Sequence, residues 1–291
     1  MIPAAFEYHA PKNLEEALRL LDRHGDEAKL LAGGHSLLPM MKLRLAAPRF
    51  VIDLGRLKNL NYIREEQGMI VLGAMATHAE IEHSSLLRAK CPLLSETAAA
   101  IGDVQVRNRG TIGGSLAHAD PAADYPAAIL ALDAVMALQS SSGSRTVPAA
   151  EFFVDMLTTQ LRPGEILTEV RVPIIGKGSG AAYCKLAQPA SGYAVVGVAA
   201  RVTLLKGKLA QVTVGVTGAG PKAYRAMGVE NTLRGKKASE KLLAEAARHA
   251  AHGIEVLADL HASADYRREM ATVFTRRALA LAIARAAGKK A

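Results

Sequence analysis

The sequence predicts an α+β fold in two parts, on three observations. Short apolar segments of strand type alternate with amphipathic helical segments through residues 1–175. Two longer apolar segments joined at Lys206-Gly207-Lys208 predict an antiparallel hairpin, and the alanine-rich region that follows has helical spacing. A chain of 291 residues corresponds to about two domains, and an apolar content of 50% can fill two cores.

The first unit is predicted as strand, helix, strand. Asn13 and Glu16 have the spacing of a capping box. The apolar residues behind them share one helical face, and they are Leu14, Ala17, Leu18 and Leu21. Residues 29–32 form a short predicted strand that enters Gly33-Gly34, and residues 50–54 form the next strand.

A second αβ unit follows. Residues 69–73 are a predicted strand, and Thr77 with Glu80 repeats the capping-box spacing before another helix. Helices are predicted for residues 93–101 and from Asp124 onwards, on either side of a glycine-bearing segment at 109–121. Strands are predicted for residues 134–139 and 165–172, with a turn at 140–144.

Residues 174–180 are short and glycine-rich, which predicts a domain boundary. The predicted domains are residues 1–175, with subdomains of about 1–55 and 56–175, and residues 176–291. In the second domain, residues 194–205 and 208–216 are strands, and residues 270–286 are a helix. Another helical stripe is formed by Leu242, Leu243, Ala246, Ala247, Ala250, Ile254 and Leu257.

Composition and charge exclude several classes of function. No apolar run reaches the roughly 18 residues of a membrane span, and the N-terminus lacks a secretory pattern, so we expect a soluble, cytoplasmic protein. Two cysteines, Cys91 and Cys184, are too few for a zinc or iron–sulfur site, and we expect reduced thiols and no metal. The net charge of +9 is spread out, and solvated helix faces explain its densest pairs. Those pairs are Arg267-Arg268, Arg276-Arg277 and Lys289-Lys290.

Two glycine segments stand out, and we call residues 32–39 the first and residues 111–118 the second. Both place paired glycines beside a hydroxyl residue and a histidine. Glycine lets successive backbone N–H groups converge into a concave site for anions, above all phosphate. Two segments of this kind predict a diphosphate held from both sides.

The common nucleotide signatures do not explain these segments. No Gly-Lys pair is followed by Ser or Thr, so a phosphate loop of the Walker type is excluded. Gly218-Ala219-Gly220-Pro221 matches the dinucleotide fingerprint loosely. However, Pro221 lacks the N–H that would meet the pyrophosphate, and we interpret this segment as a turn at a strand end.

The segment from Val106 to Asp124, together with the first glycine segment, resembles the FAD-binding medium subunits of molybdenum hydroxylases, the carbon monoxide and xanthine dehydrogenase family. The resemblance extends to Lys185-Leu186-Ala187 and Gly192-Tyr193-Ala194-Val195, and so covers essentially the whole chain. It implies an FAD-binding fold similar to the vanillyl-alcohol oxidase (PCMH-type) class. In that fold an N-terminal domain of two αβ subdomains holds FAD beside a C-terminal domain of antiparallel sheet and helices.

The resemblance also implies the residues of the FAD site, with no catalytic residue in this chain. They are Ala32, Gly33, Gly34, His35, Ser36, Leu37, Thr111, Gly114, Ser115, His118, Asp124, Leu161, Lys185 and Tyr193. The family often has Asn at the position of Ser115. His35 is expected to contact FAD through its backbone N–H, and Leu161 to provide an apolar wall.

Several of these residues have alternative interpretations. Asp124 accepts hydrogen bonds near the adenosine half of FAD, or caps the helix that it precedes. Lys185 is a cation near the flavin, which would raise its reduction potential, or an exposed strand lysine. Tyr193 lies against the isoalloxazine ring or packs between domains. His118 contacts the cofactor or is bonded within its loop, and Arg107 and Arg109 neutralise phosphate or have a structural or subunit-contact role.

By resemblance, the chain accepts electrons onto FAD from iron–sulfur clusters and passes them to an external acceptor. Its partners would be a molybdopterin-binding large subunit and a [2Fe–2S] small subunit, in a dimer of heterotrimers. Two alternatives stay open at this stage. One is an autonomous FAD-dependent oxidoreductase of related fold, and the other is a basic module that binds nucleic acid or another polyanion.

Overall fold

The N-terminal portion of the computed structural model begins with a small parallel sheet. The structure describes residues 2–289, so Met1, Ala291 and the predicted basic residue Lys290 lie outside it. The sheet has the order β1-β3-β2, and all its strands are parallel. Its elements are β1 (Glu7–His9), α1 (Leu14–His24), β2 (Ala28–Leu31), α2 (Leu37–Lys42) and β3 (Phe50–Asp53).

Helix α1 begins as its cap residues predict. The Asn13 side chain accepts a hydrogen bond from the Glu16 N–H at 2.8 Å. The Glu16 carboxylate accepts from the N–H of Lys12, one residue before the position that a capping box requires. Helix α2 was not predicted, because Pro39 and the short apolar run gave no helical periodicity.

The next portion is built on an antiparallel sheet of five strands, in the order β4-β5-β10-β6-β7. The capping box at Thr77 and Glu80 is confirmed. The strands are β4 (Ile63–Glu66), β5 (Met69–Gly73), β6 (Val135–Ser140), β7 (Gly143–Pro148), β8 (Phe153–Asp155), β9 (Thr158–Thr159) and β10 (Ile166–Pro173), of which β8 and β9 form a separate pair. The helices are α3 (His78–His83), α4 (Ser85–Lys90), α5 (Pro92–Ala99), α6 (Val104–Arg109), α7 (Ile112–His118), α8 (Tyr125–Ala131) and α9 (Ala149–Phe152).

The C-terminal domain is an antiparallel sheet in the order β11-β12-β13-β14, with helices on one side. The predicted hairpin at Lys206-Gly207 is confirmed, and both residues have positive φ. The elements are β11 (Ser179–Ala187), β12 (Ala194–Leu205), β13 (Lys208–Thr217), β14 (Tyr224–Arg225), α10 (Met227–Leu233), α11 (Glu240–Ala247) and α12 (Ala264–Ala286). The predicted α+β, two-domain fold is therefore confirmed.

Two helix boundaries in this domain differ from the prediction. Helix α11 ends at Ala247, so Ile254 and Leu257 do not continue its stripe. After Arg248 the chain continues in turns bonded three residues back, such as the Ala250 N–H to the carbonyl of Ala247, and it reaches positive φ at Gly253. Helix α12 begins at Ala264, six residues before the predicted start, because the Ser263 side chain caps the N–H of Tyr266.

The two domains pack through α8, which lies across β12 and β13. Gly215 permits this approach, since a Cβ there would lie 2.1 Å from the carbonyl oxygen of Ala127. The Thr213 hydroxyl donates to the carbonyl of Ala131 at 2.5 Å, and Arg225 bonds Asp133 at 2.6 Å. The face of the C-terminal sheet opposite its own helices is thus covered by the N-terminal domain.

One of the predicted solvated arginines is buried. Arg267 is 4% exposed and donates to the carbonyls of Val195 and Gly218 and to the carboxylate of Asp259. It joins α12 to the ends of β12 and β13, so its charge is not on a solvated helix face. Within residues 2–289 no helix, the 23-residue α12 included, is both long and apolar enough to cross a lipid bilayer.

Candidate functional site

A cavity of about 640 Å³ lies between the two N-terminal subdomains and the β11–β12 connection. This volume is in the range of ordinary ligand sites. Every residue of the predicted FAD site lines the cavity except Lys185. The structure therefore brings residues from three separate parts of the chain, around positions 32, 111 and 193, to one concave surface.

The first glycine segment presents free backbone donors. Gly34 has a φ of +78°, which lets the chain turn between β2 and α2. Among residues 2–289, no acceptor is bonded by the N–H groups of Gly34, His35, Ser36 and Leu37. The His35 imidazole Nδ1 lies 3.0 Å from the carbonyl oxygen of Gly33, so this ring is bound within its own loop.

The second glycine segment is a helix, α7, and not a loop as predicted. Thr111 is its N-cap, and its hydroxyl accepts from the Gly114 N–H at 3.1 Å. The N–H groups of Ile112 and Gly113 donate to the carbonyls of Ala76 and Ala74. The N–H groups from Ile112 to Ser115 are thus already bonded, and the segment offers the cavity hydroxyl groups of Thr111 and Ser115 instead.

The two glycine segments are in direct contact. A Cβ on Gly33 would lie 2.2 Å from the carbonyl oxygen of Arg109 and 2.7 Å from the Cα of Gly110. A Cβ on Gly114 would lie 3.5 Å from the Cβ of Ala32. Only glycine at position 33 permits this approach, because real Cβ atoms do not come so close to backbone atoms. The free donors of the first segment therefore lie close to the start of α7, and both segments line the same cavity.

Asp124 is buried at the cavity wall and does not cap α8, contrary to one of its two interpretations. Its carboxylate accepts from the Tyr183 hydroxyl at 2.5 Å and from the Lys185 ammonium at 2.9 Å. Burial raises the pKa of Asp124 to about 6, and the cation and both hydrogen bonds keep it from rising further.

Lys185 is buried as well, with 6% of its side chain exposed, so it is not an exposed strand lysine. Its ammonium also donates to the carbonyl of Ala100 at 2.8 Å. Because Lys185 and Asp124 are bonded to each other, they cannot lie at opposite halves of an extended dinucleotide. The placement of Asp124 at the adenosine half and of Lys185 at the flavin half cannot both hold.

The remaining predicted residues occupy different parts of the site. Tyr193 is 43% exposed and lies with the β11–β12 connection at one end of the cavity. Leu161 and His118 are half-buried in its wall. Arg107 is paired with Glu82 at 2.8 Å and donates to the carbonyl of Ile101, so it has a structural role. Arg109 is exposed.

His78 lines the cavity and was missed by sequence reasoning. It follows the cap residue Thr77 and is 4% exposed, with its ring edge against Tyr125. Its Nδ1 is buried without a hydrogen-bond partner among the described residues. Burial, followed by the charges of His35 and Arg107, lowers the pKa of His78 to about 4. The imidazole is therefore neutral at pH 7.

This burial makes the stability of the N-terminal domain depend on pH. Unfolded His78 takes up a proton near pH 6.5, whereas the folded state does so only near pH 4. The free energy of unfolding should therefore fall by about 3 kcal/mol as the pH drops through this window, and be unaffected above it.

Thermal unfolding followed by circular dichroism at neutral and acid pH measures this change. His78→Leu, which stays neutral at every pH, should lose that part of the acid destabilisation. The exposed His261→Leu variant is the matched control and should keep it. An unchanged acid dependence in His78→Leu would contradict the assignment.

Within residues 2–289, no three His, Cys, Asp or Glu side chains are grouped as a metal site. Both cysteines are free, Cys91 buried and Cys184 half-buried. Burial raises the pKa of the Cys91 thiol to about 12, so it is protonated and unreactive.

Comparison with known proteins agrees with the geometry of the cavity. Residues 4–175 match the family described as the FAD binding domain in molybdopterin dehydrogenase. Residues 181–282 match the CO dehydrogenase flavoprotein C-terminal domain. The cavity is lined by residues from both matched regions, and most of the lining belongs to the first.

Whole-chain relatives extend this match. The chain is 43% identical to the carbon monoxide dehydrogenase medium chain of Hydrogenophaga pseudoflava, over 99% of this chain and 100% of that one. Its structure is similar to carbon monoxide dehydrogenase from the same organism, with a TM-score of 0.96 and 44% identity over 98% of this chain and 99% of the other. It is also similar to quinoline 2-oxidoreductase from Pseudomonas putida 86, with a TM-score of 0.91 and 34% identity over 98% and 99%. The chain therefore belongs to the family of FAD-binding medium subunits of molybdenum hydroxylases.

Proposed function

We propose that this chain holds FAD in the cavity between the two glycine segments, and that it passes electrons from the iron–sulfur clusters of a partner to an external acceptor. The observation that carries the placement is the row of free N–H groups from Gly34 to Leu37, which line the cavity beside the contact between the two segments at Gly33. FAD supplies the redox chemistry when bound, and the protein supplies its position and electrostatics.

The first glycine segment would hold the diphosphate. Four successive backbone donors that no acceptor among residues 2–289 satisfies are suited to anionic oxygens. The Thr111 and Ser115 hydroxyls would add donors from the opposite side. Ala32 and Gly33 bring the segments close enough for both to contact one group.

The flavin would lie at the end of the cavity that the C-terminal domain closes. Tyr193 and the neighbouring Ser191 and Gly192 line this end, and Asp124 with its partner Lys185 lies nearby. The adenosine half would then extend away from this end, along other residues that line the cavity, such as Lys29 and Arg162. This arrangement assigns Asp124 to the flavin half, together with Lys185, and leaves Leu161 and His118 as wall residues.

We propose that the chain divides into two domains. Residues 1–175, with subdomains of about 1–55 and 56–175, would form the FAD-binding domain, and residues 176–291 the C-terminal domain. The support for this boundary is that β10 ends the five-stranded sheet at Pro173 and β11 begins a different sheet at Ser179. The cofactor lies mainly in the first domain and is closed in by the second.

The donor centres would belong to other subunits. The described residues contain no cluster of metal ligands, so electrons would come from a [2Fe–2S] small subunit that serves a molybdopterin-binding large subunit. We propose a dimer of such heterotrimers. We also propose that it works in the cytoplasm, where free thiols such as Cys91 and Cys184 persist.

Purification of the chain, once through an affinity tag and once without a tag, tests this function. We expect flavin absorption, release of FAD on denaturation at one molecule per chain, and co-purification of two further subunits that carry iron and molybdenum. Flavin without partner subunits would favour an autonomous oxidoreductase. A colourless protein that retards DNA in a salt-dependent manner would contradict the proposal and favour a polyanion-binding module.

A further inference from the structure

Asp124 lines the proposed FAD cavity, and its buried carboxylate is bonded to the C-terminal domain. It is 4% exposed, and its oxygens are held by two side chains of β11, Tyr183 and Lys185. Asp120 also lines the cavity, but its Oδ1 accepts from the nearby Ala122 N–H and no cation is bonded to it among residues 2–289. The position of Asp124 thus couples the cavity to the C-terminal domain.

The Asp124 cluster is built to tolerate both protonation states of its carboxylate. When the carboxylate is ionised, Lys185 neutralises it at 2.9 Å. When it is protonated, the Lys185 ammonium keeps a partner, the carbonyl oxygen of Ala100 at 2.8 Å. The Tyr183 hydroxyl donates to an ionised carboxylate and can accept from a protonated one. No buried polar group of the cluster is left without a partner by the change.

The tyrosines around Asp124 do not replace this function. Tyr125 of α8 and Tyr193 of the β11–β12 connection both have a raised pKa, caused by burial and then by nearby carboxylates, so they stay neutral. Tyr183 of β11 is neutral for the same reasons. Asp120, from the segment between α7 and α8, and His118, the last residue of α7, line the cavity.

We propose that Asp124 takes up a proton when FAD in the adjoining cavity is reduced and releases it on reoxidation, and that Lys185 is a positioning residue that acts through Asp124. The inference rests on the proposed function. Two electrons added to the flavin bring one proton onto its ring system and one from solvent onto Asp124, so the closed site gains no net charge. Lys185 then affects the flavin by setting the charge of Asp124, and not by contact with the flavin.

The physical basis is the repulsion between like charges in a closed site. Electrons added beside a carboxylate raise its proton affinity, and the effect is strong where water is excluded. The pKa of Asp124 is already raised to about 6 by burial, so a further rise carries it through neutral pH. A carboxylate with an ordinary pKa near 4 would stay ionised in both states.

The midpoint potential of the bound FAD, measured against pH from about 5 to 9, tests the proposal. The wild-type chain should show a change of slope in this range. Asp124→Asn should lose the change of slope and have a higher potential on its alkaline side, because the Lys185 charge is then unpaired. Lys185→Met should move the change of slope to higher pH, since Asp124 loses the cation that lowers its pKa. Lys185→Arg should return the change of slope to its wild-type pH.

Asp120→Asn is the matched control, and its change of slope should remain. A second measurement needs no variant: the reduced-minus-oxidised infrared spectrum of the wild-type chain should show a protonated carboxyl band that shifts in heavy water. The inference would be overturned by a wild-type protein that shows neither the change of slope nor the carboxyl band, or by an Asp124→Asn protein that shows both. A chain that holds no FAD at all would instead contradict the proposed function, so the two failures are distinct.

Discussion

Gly33→Val should yield a protein that has lost its FAD but keeps nearly all its helical content. A Cβ at this position would lie 2.2 Å from the carbonyl oxygen of Arg109 and 2.7 Å from the Cα of Gly110. Both are backbone atoms, so no change of side-chain rotamer relieves the clash, and the two glycine segments must separate. Overpacking of this kind costs about 1–3 kcal/mol, and that loss in binding lowers affinity about five- to 150-fold.

The FAD-to-protein ratio after gel filtration measures the effect, with far-ultraviolet circular dichroism to follow the fold. Gly114→Val should also lose FAD, because its side chain would extend into the gap towards Ala32. Gly176→Val is the control, since a Cβ there meets nothing within 4 Å. Full occupancy by FAD in Gly33→Val would refute the placement of the diphosphate between the two segments.

Glu230→Ala should be the most destabilising single change in the C-terminal domain. Glu230 is fully buried and accepts hydrogen bonds from the Val214 N–H at 2.9 Å and from Arg225 at 2.6 and 2.7 Å. Its removal leaves the Val214 donor unbonded and Arg225, whose side chain is 17% exposed, with half its hydrogen bonds. Breaking one side of a buried ion pair costs about 3–5 kcal/mol.

Thermal unfolding followed by circular dichroism measures this loss. Glu230→Gln keeps an acceptor for Arg225 without the charge and should be destabilised less than Glu230→Ala. Glu240→Ala, at an exposed position in the first turn of α11, should unfold close to the wild-type temperature. An unfolding temperature of Glu230→Ala equal to that of the wild type would show that the network does not stabilise the domain.

The strands that were predicted well are those whose signals are local. Strand β12 covers residues 194–205 as predicted, because a continuous apolar run ends at a two-residue turn that its own sequence specifies. Helix α7 was missed for the opposite reason. Its paired glycines disfavour a helix, but Gly113 packs where a Cβ would lie 2.5 Å from the Cβ of Ala74, so tertiary contact overrides propensity.

The same contrast between local signals and distant contacts applies to the candidate site. Glycines and hydroxyls in the two segments pointed to a single anion site, and the structure brings them into contact. Local sequence could not show that Asp124 is bonded to residues about sixty positions away, nor that Arg267 is buried between two strand ends. Both are charged residues whose surroundings come from distant segments, and periodicity carries no information about such contacts.

The approach of α8 to Gly215 has a consequence for any attempt to divide the polypeptide. A fragment that stops near residue 175 would leave one side of α8 in water, and a fragment that starts there would expose the sheet face on which α8 rests. Each fragment would then expose an apolar surface through which it can associate with other molecules. The two domains should consequently stay folded better as one polypeptide than as two separately produced fragments.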